Sequence, residues 1–141
     1  FFTAGFDTSS MSMGSAMWRL AMNPDMQDRL REEVCATYAE NDGKMTYDGI
    51  KSMTYLDKVV KEILRIHCPV MLMQRRSMSD HIFTGTKVFI PKGTMVMIPI
   101  GALHFDPQYY PDPYKFDPER FDKDAKRKIN PMSFLPFCAG P

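Results

Sequence analysis

Apolar residues in the first half of the chain recur at intervals of three and four, which is the repeat of an amphipathic α-helix. One helix is expected to start after Asn23, because Pro24 fits the first helical position, where its missing N–H has no partner to lose. This helix is expected to end near Gly43. Its apolar stripe, which should face a core, consists of Met26, Leu30, Val34 and Tyr38.

A second helix is expected to end before Pro69, since proline cannot continue a helix. One side of it carries Glu62 and Arg65, whose spacing places a carboxylate next to a guanidinium. An isolated pair of this kind is usually solvated and contributes under ~1 kcal/mol. The apolar face on the opposite side comprises Leu56, Val59, Val60, Ile63 and Leu64.

After about His67 the pattern changes to short β-branched runs and prolines. Residues 88–90 and 94–100 are predicted to be strands on either side of a turn at residues 91–93. Beyond Asp106 the density of prolines argues against regular structure. The pattern therefore predicts an α+β fold that is mostly α-helical with a small β-sheet.

The opening segment, residues 1–10, combines helix-weakening glycine and hydroxyl residues with the apolar pattern of a helix. In a helix, Thr8 can donate its hydroxyl hydrogen to the carbonyl of Ala4, which makes room for water beside Asp7. An acid, an alcohol and water together form a proton relay. The alternative is that residues 7–10 form an ordinary cap or turn.

The composition is that of a globular protein, with 44% of the 141 residues hydrophobic and 25% charged. Lys and Arg total 18 and Asp and Glu total 17, so the net charge of +1 gives no reason to expect a nucleic-acid partner. Cys35, Cys68 and Cys138 lack the spacing of a zinc site or a disulfide framework and suit a reducing compartment. No apolar run approaches the ~20 residues of a membrane span.

Four segments, in this order, resemble the cytochrome P-450 family, and the resemblance covers essentially the whole chain. Within the family, the sequence most resembles the microsomal detoxifying enzymes of insects and their vertebrate relatives. The matching residues are Ala4, Gly5, Asp7 and Thr8 for the A-G-x-D-T pattern of the distal helix, Glu62 and Arg65 for E-x-x-R, residues 118–121 for P-E-R-F, and Phe137 and Gly140 for the start of the cysteine-pocket signature F-x-x-G-x-R-x-C.

The resemblance implies catalytic roles for Asp7 and Thr8, which would deliver protons to dioxygen. It also implies that Glu62, Arg65 and Arg120 form a buried ion network that is structural and not catalytic. Such a network would hold the proline-rich segment in place.

The resemblance further implies that five residues bind a cofactor, heme b (iron protoporphyrin IX). Two are small and would let haem approach the helix, one would pair with a haem propionate in competition with its neighbour Arg76, and two would shape the proximal loop. These residues are Ala4 and Gly5, Arg75, and Phe137 and Gly140, respectively. The thiolate that binds the iron would lie just past Pro141, so no residue of this chain is assigned as a metal ligand.

By the same resemblance, residues 1–141 are expected to be part of a single catalytic domain of a monooxygenase. The complete protein would insert one atom of dioxygen into an apolar substrate, take electrons from NADPH through a reductase, and lie on the endoplasmic reticulum membrane. The segment alone is expected to be inactive, because it stops before the iron ligand.

Two alternatives come from different classes of protein. The D-T-S at residues 7–9 is similar to the D-T-G of aspartic proteases, but those enzymes need two carboxylates in a β-rich fold. A helical scaffold or a degenerate relative without enzyme activity is the other. Whether the iron ligand is present would distinguish such a scaffold or degenerate relative from an active monooxygenase.

Overall fold

The computed structural model describes residues 1–126 and 129–139 of the chain. Four α-helices occupy the first half: α1 (Phe2–Ala21), α2 (Pro24–Glu40), α3 (Tyr47–Ser52) and α4 (Thr54–Ile66). Four short strands follow: β1 (Met73–Arg76), β2 (His81–Ile82), β3 (Phe89–Ile90) and β4 (Met95–Ile98). The remainder contains α5 (Ile100–His104), α6 (Lys123–Lys126) and 3₁₀ turns at Pro118–Phe121 and Pro131–Ser133. The predicted fold class, mostly α with small β-sheets, is confirmed.

Helix α4 lies at the centre of the core, because it is buried on more than one side. Its residues Val59 and Ile63 are each 2% exposed and pack with Phe116 from the irregular segment. Further partly buried contacts come from Ala16 and Leu20 of α1, Met26 and Leu30 of α2, and Phe105.

The predicted stripe of α2 is correct over its first turns and wrong at its end. Tyr38 is 48% exposed, and the residue buried in the last turns is Thr37. The helix ends at Glu40, and the ring of Tyr38 packs over Gly43, which has a φ of 73°. The ring therefore covers the turn that follows the helix and not the core.

A side chain from α2 caps the first turn of α4. The carboxylate of Glu33 accepts the N–H groups of Tyr55 and Leu56, each at 2.8 Å. Because the first N–H groups of a helix have no partner within it, this carboxylate satisfies two of them and lies at the positive end of the helix dipole.

Replacing Glu33 with alanine is expected to lower the free energy of unfolding of the full-length protein by about 1–2 kcal/mol, because both N–H groups lose their acceptor. Urea unfolding monitored by circular dichroism measures the change. Glu32→Ala, at an exposed position one residue earlier, is the control. Equal unfolding midpoints for the two variants would contradict this role for Glu33.

The strands form two separate antiparallel pairs, β1 with β4 and β2 with β3. Strands β3 and β4 were expected on either side of the turn at residues 91–93, and they lie there, but they do not pair with each other. The predicted strand over residues 94–100 is too long, because Pro99 precedes α5 and Ile100 is its first residue. The N–H of Gly101 donates to the carbonyl of Met71 at 2.9 Å, which fixes α5 beside the start of β1.

Between α5 and the 3₁₀ turn at Pro118–Phe121 the described chain contains turns and bends but no helix or strand, as the prolines predict. It is nevertheless packed: Tyr110 is 1% exposed and its hydroxyl donates to the carbonyl of Ser133 at 3.3 Å. Asp112 has a φ of 50°, in the left-handed region. Side chains from elsewhere must therefore order this segment.

Helix α1 runs without interruption through Gly5 and the hydroxyl residues that were expected to weaken it. The D-T-S sequence is therefore helical, which contradicts the aspartic-protease alternative. No residue of α1 is fully buried in the described chain. Its Arg19 donates a 3.0 Å hydrogen bond from Nε to His67, the residue that follows α4. Across the described residues, none of the helices has both the length and the apolar character needed to cross a bilayer.

Candidate active site

A cavity of about 530 Å³ lies where α1, α4 and two loops meet. Three of the lining residues carry hydroxyl groups and all of these are on α1. The rest of the wall is apolar. The lining residues are Thr8, Ser9, Ser12, Met13, Val60, Leu64, Pro69, Val70, Pro136 and Phe137.

Thr8 faces this cavity and makes the hydrogen bond that the sequence predicts. Its hydroxyl donates to the carbonyl of Ala4 at 2.6 Å. Ser12 repeats the arrangement one turn later, donating to the carbonyl of Thr8 at 2.9 Å. Since the hydroxyl hydrogen of Thr8 is taken by a backbone carbonyl, its oxygen lone pairs remain free to accept a hydrogen bond from water.

The other predicted residues of α1 lie outside the cavity wall. Asp7 is exposed, and the helical repeat turns it about 100° away from Thr8. Ala4 and Gly5 are exposed one turn earlier, and a methyl group placed on Gly5 would meet nothing within 4 Å. Their proposed roles toward the proton relay and the cofactor remain predictions.

Phe137 lines the cavity and is also largely exposed. It lines the same cavity as Thr8 although the two are at opposite ends of the chain, and it is 80% exposed. Gly140, the other predicted residue of this loop, lies outside the described residues.

The strand register distinguishes Arg75 from Arg76. Arg75 pairs with Val96, and Arg76 pairs with Met95. Because side chains alternate along a strand, Arg75 shares the partly buried face with Met73 and Val96, whereas Arg76 shares the exposed face with Met95. Arg75 is itself exposed and is not part of the cavity wall, so its cofactor contact remains a prediction.

Glu62 and Arg65 form a fully buried pair and not a solvated one. The Nε of Arg65 lies 2.7 Å from Oε2 of Glu62, its Nη2 lies 2.8 Å from Oε1, and both side chains are 0% exposed. The remaining guanidinium nitrogen donates to the carbonyl of His104 at 2.8 Å. The rings of Phe105 and Tyr110 lie 5.8 and 5.0 Å from the guanidinium carbon.

Arg120 approaches this pair from the 3₁₀ turn. Its Nε is 3.5 Å from Oε1 of Glu62, without hydrogen-bond geometry, and is buried with no hydrogen-bond partner among the described residues. Its Nη2 donates to the carbonyl of Asp112 at 2.8 Å, and the N–H of Asp117 donates to the same oxygen of Glu62 at 3.0 Å. The three predicted residues therefore do meet, but Arg120 contributes mainly charge and a contact to the irregular segment.

A second ion cluster beside the 3₁₀ turn was not predicted from the sequence. Glu119 accepts from Arg29 of α2 at 2.7 Å and from Lys58 of α4 at 2.9 Å, and Lys58 also lies 2.6 Å from Asp122. The hydrogen bond from Lys58 is the main reason that the pKa of Glu119 lies below its usual value. No spacing in the sequence signals this cluster, because its members are far apart along the chain.

Cys35, Cys68 and Cys138 are free thiols in the structure. Cys68 is buried, and its thiol contacts the carbonyl of Val70 at 3.3 Å, while burial raises the pKa of the thiol. Cys138 has a φ of 70°, a left-handed conformation that side chains with a Cβ rarely adopt.

Replacing Cys138 with glycine is expected to raise the free energy of unfolding by about 1 kcal/mol, because glycine adopts the left-handed conformation without strain. Thermal unfolding of the full-length protein measures the change. Cys138→Ala keeps the Cβ atom and should give little or no gain. A gain from alanine equal to that from glycine would mean that the thiol, and not the backbone, is the source of any strain.

Comparison with known proteins finds sequence similarity over the whole chain. Cytochrome P-450 6l1 of Blattella germanica is 45% identical, probable cytochrome P-450 6a13 of Drosophila melanogaster 43%, and cytochrome P-450 9e2 of Blattella germanica 46%, each over 100% of this chain. The chain spans only 28%, 29% and 27% of the length of these relatives, respectively. The family model described as cytochrome P-450 matches residues 1–141, and the chain belongs to that family.

Proposed function

We propose that these residues are part of a single catalytic domain of a haem-dependent monooxygenase, which inserts one atom of dioxygen into an apolar organic compound. The observation that carries the proposal is the cavity shared by Thr8 and Phe137, which joins a hydroxyl on α1 to the loop that leads toward the cysteine-pocket signature. Membership of a family that binds haem supports the same conclusion.

The described residues fit heme b in their chemistry. A porphyrin is a flat apolar ring with two carboxylates, and the cavity wall is apolar apart from hydroxyl groups. The exposed ring of Phe137 offers a flat apolar contact, and Arg75 offers a guanidinium that suits a carboxylate. When bound, the haem would supply iron for oxygen chemistry, with a thiolate ligand from beyond these residues.

The hydroxyl of Thr8 would hold and direct a water molecule in the cavity. Its hydrogen bond to Ala4 fixes the oxygen in place, so that the lone pairs accept from water and the water can donate a proton onward. Asp7 is exposed at the neighbouring helical position. It would pass protons from solvent toward that water and so replace the proton that the water donates. In this proposal Asp7 supplies protons from outside the cavity, and Thr8 directs their delivery inside it.

The apolar wall indicates the class of substrate. Met13, Leu64, Pro69 and Val70 line the cavity and offer no charged group to bind a polar compound. The adjoining residues Met71 and Leu72 continue the apolar surface. An apolar organic molecule is the substrate class that suits this surface.

By family resemblance, the electrons would come from NADPH through a flavoprotein reductase, and the complete protein would lie on the endoplasmic reticulum membrane. Monooxygenation requires an external electron donor, because the second oxygen atom is reduced to water. These two inferences concern the full-length protein.

The test is a full-length protein that contains this sequence. Reduced under carbon monoxide, it is expected to show the red-shifted Soret band of thiolate ligation and, with NADPH and reductase, to hydroxylate apolar compounds. Cys138→Ser is the matched control and should keep the band, because the ligand is expected beyond residue 141. A full-length protein that binds haem without this band would support the scaffold or degenerate-relative alternative.

A further inference from the structure

His104, the last residue of α5, joins the buried ion pair to the loop of the cavity. Its side chain is 0% exposed. Nδ1 lies 3.0 Å from the carbonyl of Arg65, and Nε2 lies 3.0 Å from the N–H of Leu135. The imidazole therefore contacts α4 with one nitrogen and residues 134–137, hereafter the cavity loop, with the other.

These two contacts determine which tautomer the ring adopts. A carbonyl can only accept, so Nδ1 must carry the hydrogen, and a backbone N–H can only donate, so Nε2 must be the acceptor. The neutral ring with hydrogen on Nδ1 satisfies both bonds, whereas the protonated ring cannot accept from Leu135. The ring also stacks on Phe134, with centroids 5.6 Å apart.

The cavity loop also contacts the 3₁₀ turn, where the ring of Phe134 lies 4.8 Å from that of Phe121. Pro136 and Phe137 of this loop line the cavity, and the thiol of Cys68 lies 3.9 Å from the carbonyl of Pro136. The bond from Leu135 to His104 immediately precedes these two lining residues. The imidazole of His104 therefore contributes to the position of that wall through the backbone of Leu135.

We propose that His104 is a positioning residue, which holds the cavity loop at the distance from α4 that the cofactor pocket requires. It acts through Leu135 and does not touch the cavity itself. The inference deepens the proposed function, since it concerns the wall of the same site. The same contacts link the buried pair of Glu62 and Arg65 to the cavity loop: Arg65 donates to the carbonyl of His104, and His104 accepts from the N–H of Leu135.

The surroundings of the ring keep it neutral. Burial lowers the pKa of His104, and the Arg65 guanidinium lowers it further, while the bond to the Arg65 carbonyl opposes this. The other titratable groups packed around that guanidinium are Glu62 of α4, Tyr110 of the irregular segment and Arg120 of the 3₁₀ turn. Because the folded state favours the neutral ring, a lower pH favours opening of the cavity loop. Below the ordinary histidine pKa of ~6.5, the imidazole of His104 binds a proton when the loop is open but not when it is closed.

Two amide substitutions separate the two bonds in the full-length protein. The amide of His104→Asn reaches the Nδ1 position and can donate to Arg65, but it cannot reach Leu135. The longer His104→Gln places an amide oxygen near the Nε2 position, where it can accept from Leu135. Hydrogen exchange at the Leu135 amide reports directly on its bond to residue 104, and the amides of α4 serve as the internal reference.

His104→Asn is expected to speed exchange at Leu135 by roughly fivefold or more while α4 keeps the parent rates, and His104→Gln is expected to stay close to the parent. In the haem-bound protein, His104→Asn should also lose haem faster than His104→Gln. Equal exchange at Leu135 in both variants, or a rise in the exchange of the α4 amides that matches the rise at Leu135 in His104→Asn, would show that His104 is only a packing residue.

If both variants fail to fold, the parent protein decides the question. After correction for intrinsic exchange chemistry, opening at Leu135 should increase by about tenfold per pH unit below ~6.5, with no matching change in α4. A pH-independent opening would overturn the proposal. A parent protein without the thiolate band would count against the proposed function alone, because the exchange of Leu135 is measured independently of activity.

Discussion

Glu62→Ala is expected to cost about 3–5 kcal/mol of unfolding free energy and to prevent stable haem incorporation, because it leaves the fully buried Arg65 without its anion. The N–H of Asp117 loses its acceptor in the same variant. Arg120→Leu should cost less, about 1–2 kcal/mol, because its Nε makes no hydrogen bond and the main loss is the contact with the Asp112 carbonyl.

Urea unfolding and haem content per polypeptide measure both variants in the full-length protein. Arg31→Ala is the control, since Arg31 forms an exposed pair with Asp28 in which each side chain is 63% exposed. Three variants with the same stability and haem content would show that Glu62 and Arg65 act as an ordinary surface pair. A larger effect for Arg120→Leu than for Glu62→Ala would mean that Arg120 is the principal partner.

Thr8→Ala in the full-length protein is expected to lower the product formed per NADPH by about tenfold or more, with hydrogen peroxide released in its place. The expectation rests on the proposed water held by the Thr8 hydroxyl, because a positioned proton-transfer group typically contributes ~10²–10⁴ to the rate of the step it serves. NADPH consumption, product and peroxide are measured in one reaction.

Two further substitutions at this position separate the hydroxyl from the volume of the side chain. Thr8→Val keeps the branched shape and loses the oxygen, so it should behave like alanine. Thr8→Ser can still donate to the Ala4 carbonyl and accept from water, so it should stay near the parent. Coupling that follows side-chain volume across the three variants would rule out the relay.

The sequence predicts elements well where a local pattern decides them. The proline at the start of α2 and the spacing of Val59 and Ile63 in α4 suffice to place two helices, and the four-residue spacing of Ala4 and Thr8 suffices for their hydrogen bond. These features depend only on neighbours within a turn or two.

Features that depend on distant partners were harder to predict. The β-branched side chain of Ile100 favours a strand, yet Ile100 is the first residue of α5, whose next residue, Gly101, bonds to the distant Met71. Val60 and Leu64 have the spacing of core residues, but they line the cavity. The contacts of His104 could not be predicted from the sequence, because tertiary structure brings both of its partners, Arg65 and Leu135, to it.

In the candidate site, too, local motifs identify some residues and miss features that depend on the fold. Thr8 and Phe137 were named from motifs and do lie on one cavity, whereas Ser12 was missed because the motif stops before it. The burial of Glu62 and Arg65 follows from the family resemblance and not from their spacing, which alone favours a surface pair. A carboxylate and a guanidinium in one helix do not reveal what covers them.

The irregular segment after α5 has a consequence for the order in which the chain folds. It has no helix or strand of its own, and its backbone is held by α4 through bonds that join residues 50 and 55 positions apart. Such contacts cannot form until long loops have closed, whereas α1, α2 and α4 need only local bonds. We therefore expect the helices to be largely formed in the folding transition state and the irregular segment to be fixed after it, so that substitutions such as Arg120→Leu speed unfolding and leave the folding rate almost unchanged.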